Sequence, residues 1–339
     1  MPVRRPPRAT VVFDTYWQFA CERQAVYFRR LAGAPAPWTS DPILRGFRFT
    51  NTYRAADRTS QFLIGNVIYR GSQDHREQVF RTLLFRLFNL PATWMALKER
   101  VGPIEINSFD ERAYGQALEE YAATGAPLYS AAYVIPPVPQ FGGARKHQQH
   151  LRLVRWMLDD RVDDRVAEAT SMERIFQLLS TYPSLGRFLS FQLATDLNYG
   201  PHLDFDEMDF VAAGPGASEG IRKCFEARDG WTDDDIIRWV TDRQELELAR
   251  RGLDFMTLWG RRLQLIDCQN LFCEIAKYSR VSHPEFTAPG GRHRLKRTFA
   301  PRVDAELPWF PPKWGLNGRI ALDRAPRSVE QVDLSLQKV

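Results

Sequence analysis

The most informative segment of the chain is Leu265-Ile-Asp-Cys-Gln-Asn-Leu-Phe-Cys-Glu-Ile-Ala-Lys-Tyr278. Its polar residues recur at positions i, i+3, i+7 and i+10, so on a helix they form one stripe, which consists of Asp267, Asn270, Glu274 and Lys277. The flanking positions are apolar, and ionisable groups are costly to bury unless they are paired or used. The segment therefore predicts a helix whose stripe is either a catalytic surface or a solvent-exposed face on which Glu274 pairs with Lys277.

Helical periodicity extends through most of the chain. Apolar residues three and four positions apart predict helices over residues 15–31, 55–69, 73–87, 146–158, 172–180, 185–197, 234–250 and 258–278. Ser108 and Glu111 form a capping-box pattern that predicts another helix through Tyr121, whereas residues 128–139 have the pattern of an extended segment. We expect a mainly α fold with few short strands, made of helical lobes over residues 1–140 and 141–287 and a basic, proline-rich tail over residues 288–339.

The composition restricts the class of protein. The 339 residues are 44% apolar and 26% charged, which suits a globular chain with a substantial core. Lysine and arginine number 46 against 41 aspartate and glutamate residues, and the net charge of +5 favours a polyanionic partner. The cysteines form no CxxC pair, and no apolar run approaches the roughly 20 residues of a membrane span. We therefore expect a cytoplasmic protein without a zinc ribbon, and the lack of any Gly-Lys dipeptide excludes a P-loop kinase.

A second polar segment covers residues 49–61. If a helix begins near Tyr53, then Arg54, Asp57, Arg58 and Gln61 share one of its faces. This face is either a polar wall that hydrogen-bonds a base or a phosphate, or an ordinary salt-bridged helix surface.

A third segment, residues 210–221, runs from apolar residues through Gly214-Pro-Gly216 into a predicted helix. Small residues allow backbone amides at the start of a helix to approach an anion closely. The glycine spacing is G-x-G-x-x-x-G and differs from the G-x-G-x-x-G of dinucleotide sites. The remaining alternatives are a hairpin whose amides hold a DNA phosphate and a turn that only joins two helices.

Four segments carry a family resemblance when they are taken together in chain order. They are Phe47-Arg-Phe-Thr-Asn-Thr-Tyr-Arg-Ala-Ala-Asp-Arg-Thr-Ser-Gln61, Asp196-Leu-Asn-Tyr199, Asp209-Phe-Val-Ala-Ala-Gly-Pro-Gly-Ala217 and Asp267-Cys-Gln-Asn-Leu-Phe-Cys-Glu-Ile-Ala-Lys-Tyr278. The chain thereby resembles the α-glutamyl/putrescinyl-thymine pyrophosphorylase family, also described as the helical domain of 5-hydroxymethyluracil DNA kinases. This family is similar to the helix-hairpin-helix DNA glycosylases, so the resemblance implies a two-lobed helical fold of that kind.

The resemblance implies a DNA glycosylase that flips a hypermodified pyrimidine, such as glucosylated hydroxymethylcytosine, out of phage DNA and excises it in antiviral defence. The alternative is a transferase that replaces pyrophosphate on a 5-(pyrophosphoryloxymethyl) pyrimidine in DNA with an amine. We expect no kinase module of the kind that accompanies this domain in some phage proteins, so pyrophosphate installation would need another protein. The expected partner is double-stranded DNA with modified bases, and no metal or organic cofactor is expected.

The resemblance also assigns roles to residues. The expected catalytic residues are Asp267, Glu274, Asn270 and Lys277, with Asp233 to Asp235 as the alternative source of the catalytic aspartate. The expected base pocket consists of Asn51, Tyr53, Arg54, Asp57, Arg58, Gln61, Asn198 and Tyr199. The expected DNA-binding residues are Gly214, Gly216, Ala217, Arg292, Arg294, Lys296 and Arg297.

Overall fold

The computed structural model describes residues 5–132, 135–287, 295, 298–299 and 307–324, and helices make up most of them. The α-helices are α1 (Val11–Leu31), α2 (Pro42–Gly46), α3 (Arg58–Phe62), α4 (His75–Phe88), α5 (Pro91–Val101), α6 (Glu111–Ala123), α7 (Lys146–Asp159), α8 (Val162–Ala167), α9 (Met172–Ser180), α10 (Arg187–Asn198), α11 (Pro215–Cys224), α12 (Asp233–Asp242), α13 (Gln244–Arg250), α14 (Leu265–Ser282) and α15 (Leu316–Arg324). The two short strands β1 (Arg8–Ala9) and β2 (Phe225–Ala227) pair antiparallel. The predicted mainly α fold is confirmed, while the division into two lobes stays a prediction.

Helix α14 lies at the centre of the packing. Its aliphatic and aromatic residues from Leu265 to Ile275 are almost completely buried, and it contacts α1, α2, α11 and α12. Helix α1 contributes Phe13, Tyr16 and Trp17 to the same core, and Tyr16 packs on Phe272 with ring centroids 4.7 Å apart. The helix that the polar stripe predicted is therefore a core element with neighbours on most sides.

Glycines allow α11 and α14 to approach each other closely. A Cβ atom on Gly220 would lie 2.0 Å from the carbonyl oxygen of Phe272, and one on Gly216 would lie 3.1 Å from the Sγ of Cys273. Gly214, the N-cap of α11, faces the ring of Phe188 in the same way, at 2.4 Å. The glycine spacing of residues 214–220 therefore serves helix packing.

A buried ion cluster joins the first half of the chain to α10. The guanidinium of Arg54 lies 2.8 Å from one oxygen of Asp196, and Arg86 on α4 lies 2.6 Å from the other. Arg54 also donates to the Oε1 of Gln192 at 2.7 Å. Because these charged groups are almost inaccessible to water, they hold one another in fixed positions.

Several predicted helices have different boundaries in the structure. The helix predicted over residues 55–69 is a 3-10 turn (Arg54–Ala56), α3 and a π-helical segment (Leu63–Ile68), because Asp57 has extended backbone angles. The helix predicted over residues 234–250 is divided between α12 and α13 at Arg243. Residues 128–132 and 135–138 form no strand, and the cap of α6 is Asp110, whose carboxylate accepts from the N–H of Ala113 at 2.6 Å.

Helix α14 begins at Leu265 because the preceding residues form a tight turn. Trp259 and Gly260 both have left-handed backbone angles, with φ of 49° and 92°, and Leu258 pairs with Arg261 in an isolated β-bridge. This turn is incompatible with the helix that the sequence predicted from residue 258 onward.

Residues 307–324 pack back onto the helical core. Phe310 is completely buried, and the Nζ of Lys313 donates to the carbonyl oxygens of Asn198, Gly200 and Leu203. These carbonyls lie at and after the C-terminus of α10, where a cation is favourable. In the described part of the chain, no helix combines the length and the apolar character that crossing a membrane requires.

The contact between α11 and α14 gives a prediction about Gly220. Gly220→Ala places a methyl group against a backbone carbonyl that cannot rotate away, so we expect the free energy of unfolding to fall by about 3 kcal/mol. Gly318→Ala is the matched control, because Gly318 is an exposed glycine of α15 with no neighbour near its Cβ position, and the change should be neutral or slightly stabilising. Urea unfolding measures both variants, and equal stability of the two proteins would contradict the close contact.

Candidate functional site

A pocket of about 370 Å³ opens beside the N-terminal half of the helical core. It lies between α1, the connection from α1 to α2, α2 and the extended residues that follow α2. The lining residues are Arg23, Val26, Tyr27, Arg30, Ala36, Pro37, Trp38, Thr39, Leu44, Arg45, Phe47, Phe49, Asn51 and Phe299. Its volume falls in the range of sites that bind small organic ligands, roughly 300–1,000 Å³.

The pocket combines cationic and aromatic side chains. Arg23, Arg30 and Arg45 supply guanidinium groups, and none of the described residues that line the pocket is acidic. Guanidinium groups only donate hydrogen bonds, so the lining is complementary to a ligand rich in acceptor oxygens. The rings of Trp38, Phe47, Phe49 and Phe299 supply apolar area for a planar group. This lining is suited to a flat ring that carries an anionic substituent.

Arg23 and Asn51 are joined at one wall of the pocket. Arg23 donates from Nε to the carbonyl oxygen of Thr50 at 2.9 Å and from Nη2 to the side-chain oxygen of Asn51. The amide nitrogen of Asn51 donates in turn to the carbonyl oxygen of Ala56 at 2.6 Å. The extended segment of residues 47–51 is thereby fixed to α1.

Two carboxylates lie directly behind this wall. Asp57 accepts from the backbone N–H of Asn51 at 2.7 Å, and Glu274 faces the N–H of Thr50 at 3.4 Å. Burial raises the pKa of Asp57 to about 7, although the N–H of Asn51 and the Arg23 guanidinium lower it. A carboxyl group with this pKa exchanges its proton near neutral pH, as general acids and bases do.

Phe299 completes the pocket from the C-terminal part of the chain. Its backbone N–H donates to the carbonyl oxygen of Gly46 at 3.0 Å, and Thr298 forms an antiparallel bridge with Phe47. The ring of Phe299 meets Trp38 edge to face, with centroids 6.3 Å apart. Residues that are distant in sequence therefore share this lining.

The residues predicted as the base pocket do not all meet in one place. Asn51 lines the pocket and Asp57 adjoins it, while Arg58 is exposed on α3. The other five make internal contacts: Tyr53 to Arg261, Arg54 to Tyr199 and Gln192, Gln61 to Ala55 and Trp309, and Asn198 to Phe205. Their polar groups hold the fold together and are not part of the pocket lining.

Among the predicted catalytic residues, Asp267 has a structural partner for each oxygen. Oδ1 accepts from the N–H of Arg54 at 2.8 Å, and Oδ2 accepts from the N–H of Gln264 at 3.0 Å, which forms a capping box at the start of α14. Burial raises the pKa of Asp267 to about 7, while these two N–H groups lower it. Asp267 is not among the residues that line the pocket.

The rest of the predicted stripe runs from this cap toward the pocket. Asn270 is half-buried, and Glu274, with 3% of its surface exposed, pairs with the Nζ of Lys277 at 2.6 Å. The pair of Glu274 and Lys277 that we expected on a solvent-exposed face is formed. The carboxylate of Glu274 is nevertheless buried behind Thr50. Within the stripe, Glu274 is thus the residue that accepts a hydrogen bond from the segment that forms the pocket wall.

The predicted DNA-binding residues fall into two groups. Gly214, Gly216 and Ala217 form the first turn of α11 and its cap, where they pack against Phe188 and α14. Arg292, Arg294, Lys296 and Arg297 lie outside the described residues. Asp233 to Asp235, the alternative catalytic aspartates, form the first turn of α12, where Asp235 takes part in the capping box with Thr232.

The sequence interpretation missed the arginines and the tyrosine of α1. Arg23, Tyr27 and Arg30 recur at positions i, i+4 and i+7, the spacing of one helix face. Tyr27 falls within the spacing that predicts the helix over residues 15–31, and an aromatic residue at such spacing usually belongs to a core. Two arginines flanking a tyrosine on one face were the available signal for this site.

Comparisons with known proteins relate the chain to enzymes that modify DNA. Residues 10–288 match the family model described as 5-hmdU DNA kinase, helical domain. The 5-hmdU DNA kinase of Bacillus phage SP10 is 27% identical over 299 residues, which are 81% of this chain and 46% of that protein. The chain thus spans about half the length of this curated relative. No solved structure matches the chain significantly.

The predicted DNA N-glycosylase activity is wrong. The similar phage protein is named a DNA kinase, which is a transferase and not a hydrolase of N-glycosyl bonds. The predicted antiviral role depended on the glycosylase activity and therefore loses its basis.

The raised pKa of Asp57 gives a prediction about pH and stability. Since the folded-state pKa of about 7 lies above the ordinary value of 3.8, the stability linked to this group is full below about pH 4 and is lost as the pH rises through 7. Asp57→Asn cannot ionise, so the wild type should lose about 1 kcal/mol or more relative to this variant between pH 5 and pH 8. Urea unfolding at both pH values measures the difference, with the exposed Asp242→Asn as control. Parallel pH dependence of wild type and Asp57→Asn would contradict the raised pKa.

Proposed function

The chain belongs to the family of 5-hmdU DNA kinase helical domains, and from this membership we propose that it is a transferase that modifies 5-substituted pyrimidine bases in DNA. In this proposal, the pocket receives a pyrimidine whose 5-hydroxymethyl group has been converted to its pyrophosphate ester. An amine then displaces the pyrophosphate, and the product is an enlarged base that remains attached to its sugar.

One observation carries the proposal: the pocket is aromatic and cationic at the same time. A 5-(pyrophosphoryloxymethyl) pyrimidine is a flat ring with an anionic substituent, and both parts match the lining. Arg23, Arg30 and Arg45 can pair with phosphoryl oxygens, and the aromatic side chains can contact the ring. A base in a duplex reaches such a pocket only after it has been flipped out of the stack.

The proposed reaction is a substitution at the exocyclic methylene carbon. The amine nitrogen forms a bond to this carbon, the bond from the carbon to the ester oxygen breaks, and pyrophosphate leaves with that electron pair. Guanidinium groups stabilise the charge that develops on the leaving group. The proton lost by the amine passes to solvent water, because the carboxylates of Asp57 and Glu274 lie behind the pocket wall.

Phosphorylation by a nucleoside triphosphate is the reaction in the name of the phage relative. That protein is about twice as long as the matched region, and this sequence contains no G-x-x-x-x-G-K-[ST] motif. We therefore place the amine transfer, and not the kinase step, in this helical domain. Double-stranded DNA as the partner and the helix-hairpin-helix arrangement both stay predictions.

Product analysis tests the proposed reaction. The purified protein is incubated with duplexes that contain thymine, 5-hydroxymethyluracil or 5-(pyrophosphoryloxymethyl)uracil, with and without ATP and with a panel of amines. We expect an amine adduct of the base together with released pyrophosphate, detected by mass spectrometry of the nucleosides. ATP-dependent phosphorylation of 5-hydroxymethyluracil, or an alkali-labile abasic site, would contradict the proposal.

An exposed arginine of the pocket provides the matched variant. Arg45→Gln removes one guanidinium without disturbing buried contacts, so we expect KM for the pyrophosphorylated duplex to rise about tenfold, in line with a lost charged hydrogen bond. Arg112→Gln on α6 makes the same exchange at an exposed residue outside the pocket lining and should leave KM unchanged. Equal KM values for the two variants would show that Arg45 does not bind the substrate and would contradict the placement of the reaction in this pocket.

A further inference from the structure

The hydroxyl of Tyr27 is a buried polar group without a hydrogen-bond partner among the described residues. Only 8% of the residue's surface is exposed, so water gives it little compensation. A buried hydroxyl that lacks a partner costs about 1–3 kcal/mol. Such groups are uncommon in folded proteins, and each calls for an explanation.

Tyr27 lines the same pocket as the arginines. It lies one helical turn after Arg23 and one turn before Arg30, so the three side chains share the face of α1 that borders the pocket. Arg23 is held by Thr50 and Asn51, and the guanidinium of Arg30 lies 6.0 Å from the centroid of the Trp38 ring. The hydroxyl is therefore buried near two cations, in the part of α1 that forms the pocket wall.

The hydroxyl remains protonated in the neutral pH range. Burial raises the pKa of Tyr27 above its ordinary value of 10.0, although Arg30 and Arg23 lower it. A protonated phenol donates a hydrogen bond, as the neighbouring guanidinium groups do. Three donors on one helix face are complementary to acceptor oxygens that carry negative charge, and a phosphoryl group provides several of them.

We propose that the Tyr27 hydroxyl is a specificity-determining group that donates a hydrogen bond to a phosphoryl oxygen on the 5-substituent of the bound pyrimidine. This inference rests on the proposed function and deepens it, since it assigns the recognition of the phosphorylated substituent to one residue. The Tyr27 hydroxyl would distinguish a phosphorylated base from 5-hydroxymethyluracil and thymine, because neither of these bases has a charged oxygen on its 5-substituent.

Binding measurements with three duplexes test the role of Tyr27. The duplexes are identical except for a central thymine, 5-hydroxymethyluracil or 5-(pyrophosphoryloxymethyl)uracil, and Kd is measured by fluorescence anisotropy without an amine. We expect the wild type to prefer the phosphorylated base and Tyr27→Phe to lose about tenfold of that preference, with little change in Kd for the thymine duplex. The Tm of Tyr27→Phe should be unchanged or higher, because the variant keeps the ring and removes an unpartnered hydroxyl.

Tyr114→Phe is the matched control. Tyr114 is 1% exposed, lies on α6 and is not among the pocket residues, so this variant should bind all three duplexes as the wild type does. A wild type that binds the three duplexes equally would overturn the proposed function itself. A wild-type preference that Tyr27→Phe retains would overturn only the role of Tyr27. Equal weakening for all three duplexes, or a lowered Tm, would assign Tyr27 to packing and also overturn the inference.

Discussion

The position of a single buried arginine determines where one wall of the pocket lies. The backbone N–H of Arg54 binds Asp267 at the start of α14, and its side chain binds Gln192 and Asp196 on α10. Residues 47–53 are therefore held between two helices that are far apart in sequence. Removing one partner of such a buried ion pair costs about 3–5 kcal/mol, because the remaining charge is left without compensation.

The charges of the site are separated into two layers. The described residues that line the pocket carry guanidinium groups, while the carboxylates of Asp57 and Glu274 lie behind Asn51 and Thr50. The negative charges behind the wall compensate the positive charges of the lining, since Asp57 and Glu274 both favour the charged form of Arg23. The described lining thus presents no carboxylate to an anionic ligand, in agreement with the proposed function.

The structure distributes the residues of the predicted site among several environments. The segment 47–61 does border the pocket through Phe47, Phe49 and Asn51, whereas Tyr53, Arg54 and Gln61 bind other parts of the chain. Spacing on a helix could not reveal this, because residues 54–68 are a 3-10 turn, a short α-helix and a π-helical segment in place of one regular helix. The glycines of residues 214–220 gave a similar ambiguity, since close backbone approach is needed both for an anion and for helix packing.

By itself, the sequence determined the mainly helical fold, the polar stripe on α14 and the family resemblance, because these depend on periodicity and on residue order along the chain. Only the tertiary structure decided that Asp267 caps α14, that Glu274 lies behind the pocket wall, and that Arg23, Tyr27, Arg45 and Phe299 meet around one cavity. The physical reason is that local patterns specify which face of a helix is buried, whereas the partner that covers this face is set by contacts between residues as distant as Phe47 and Thr298.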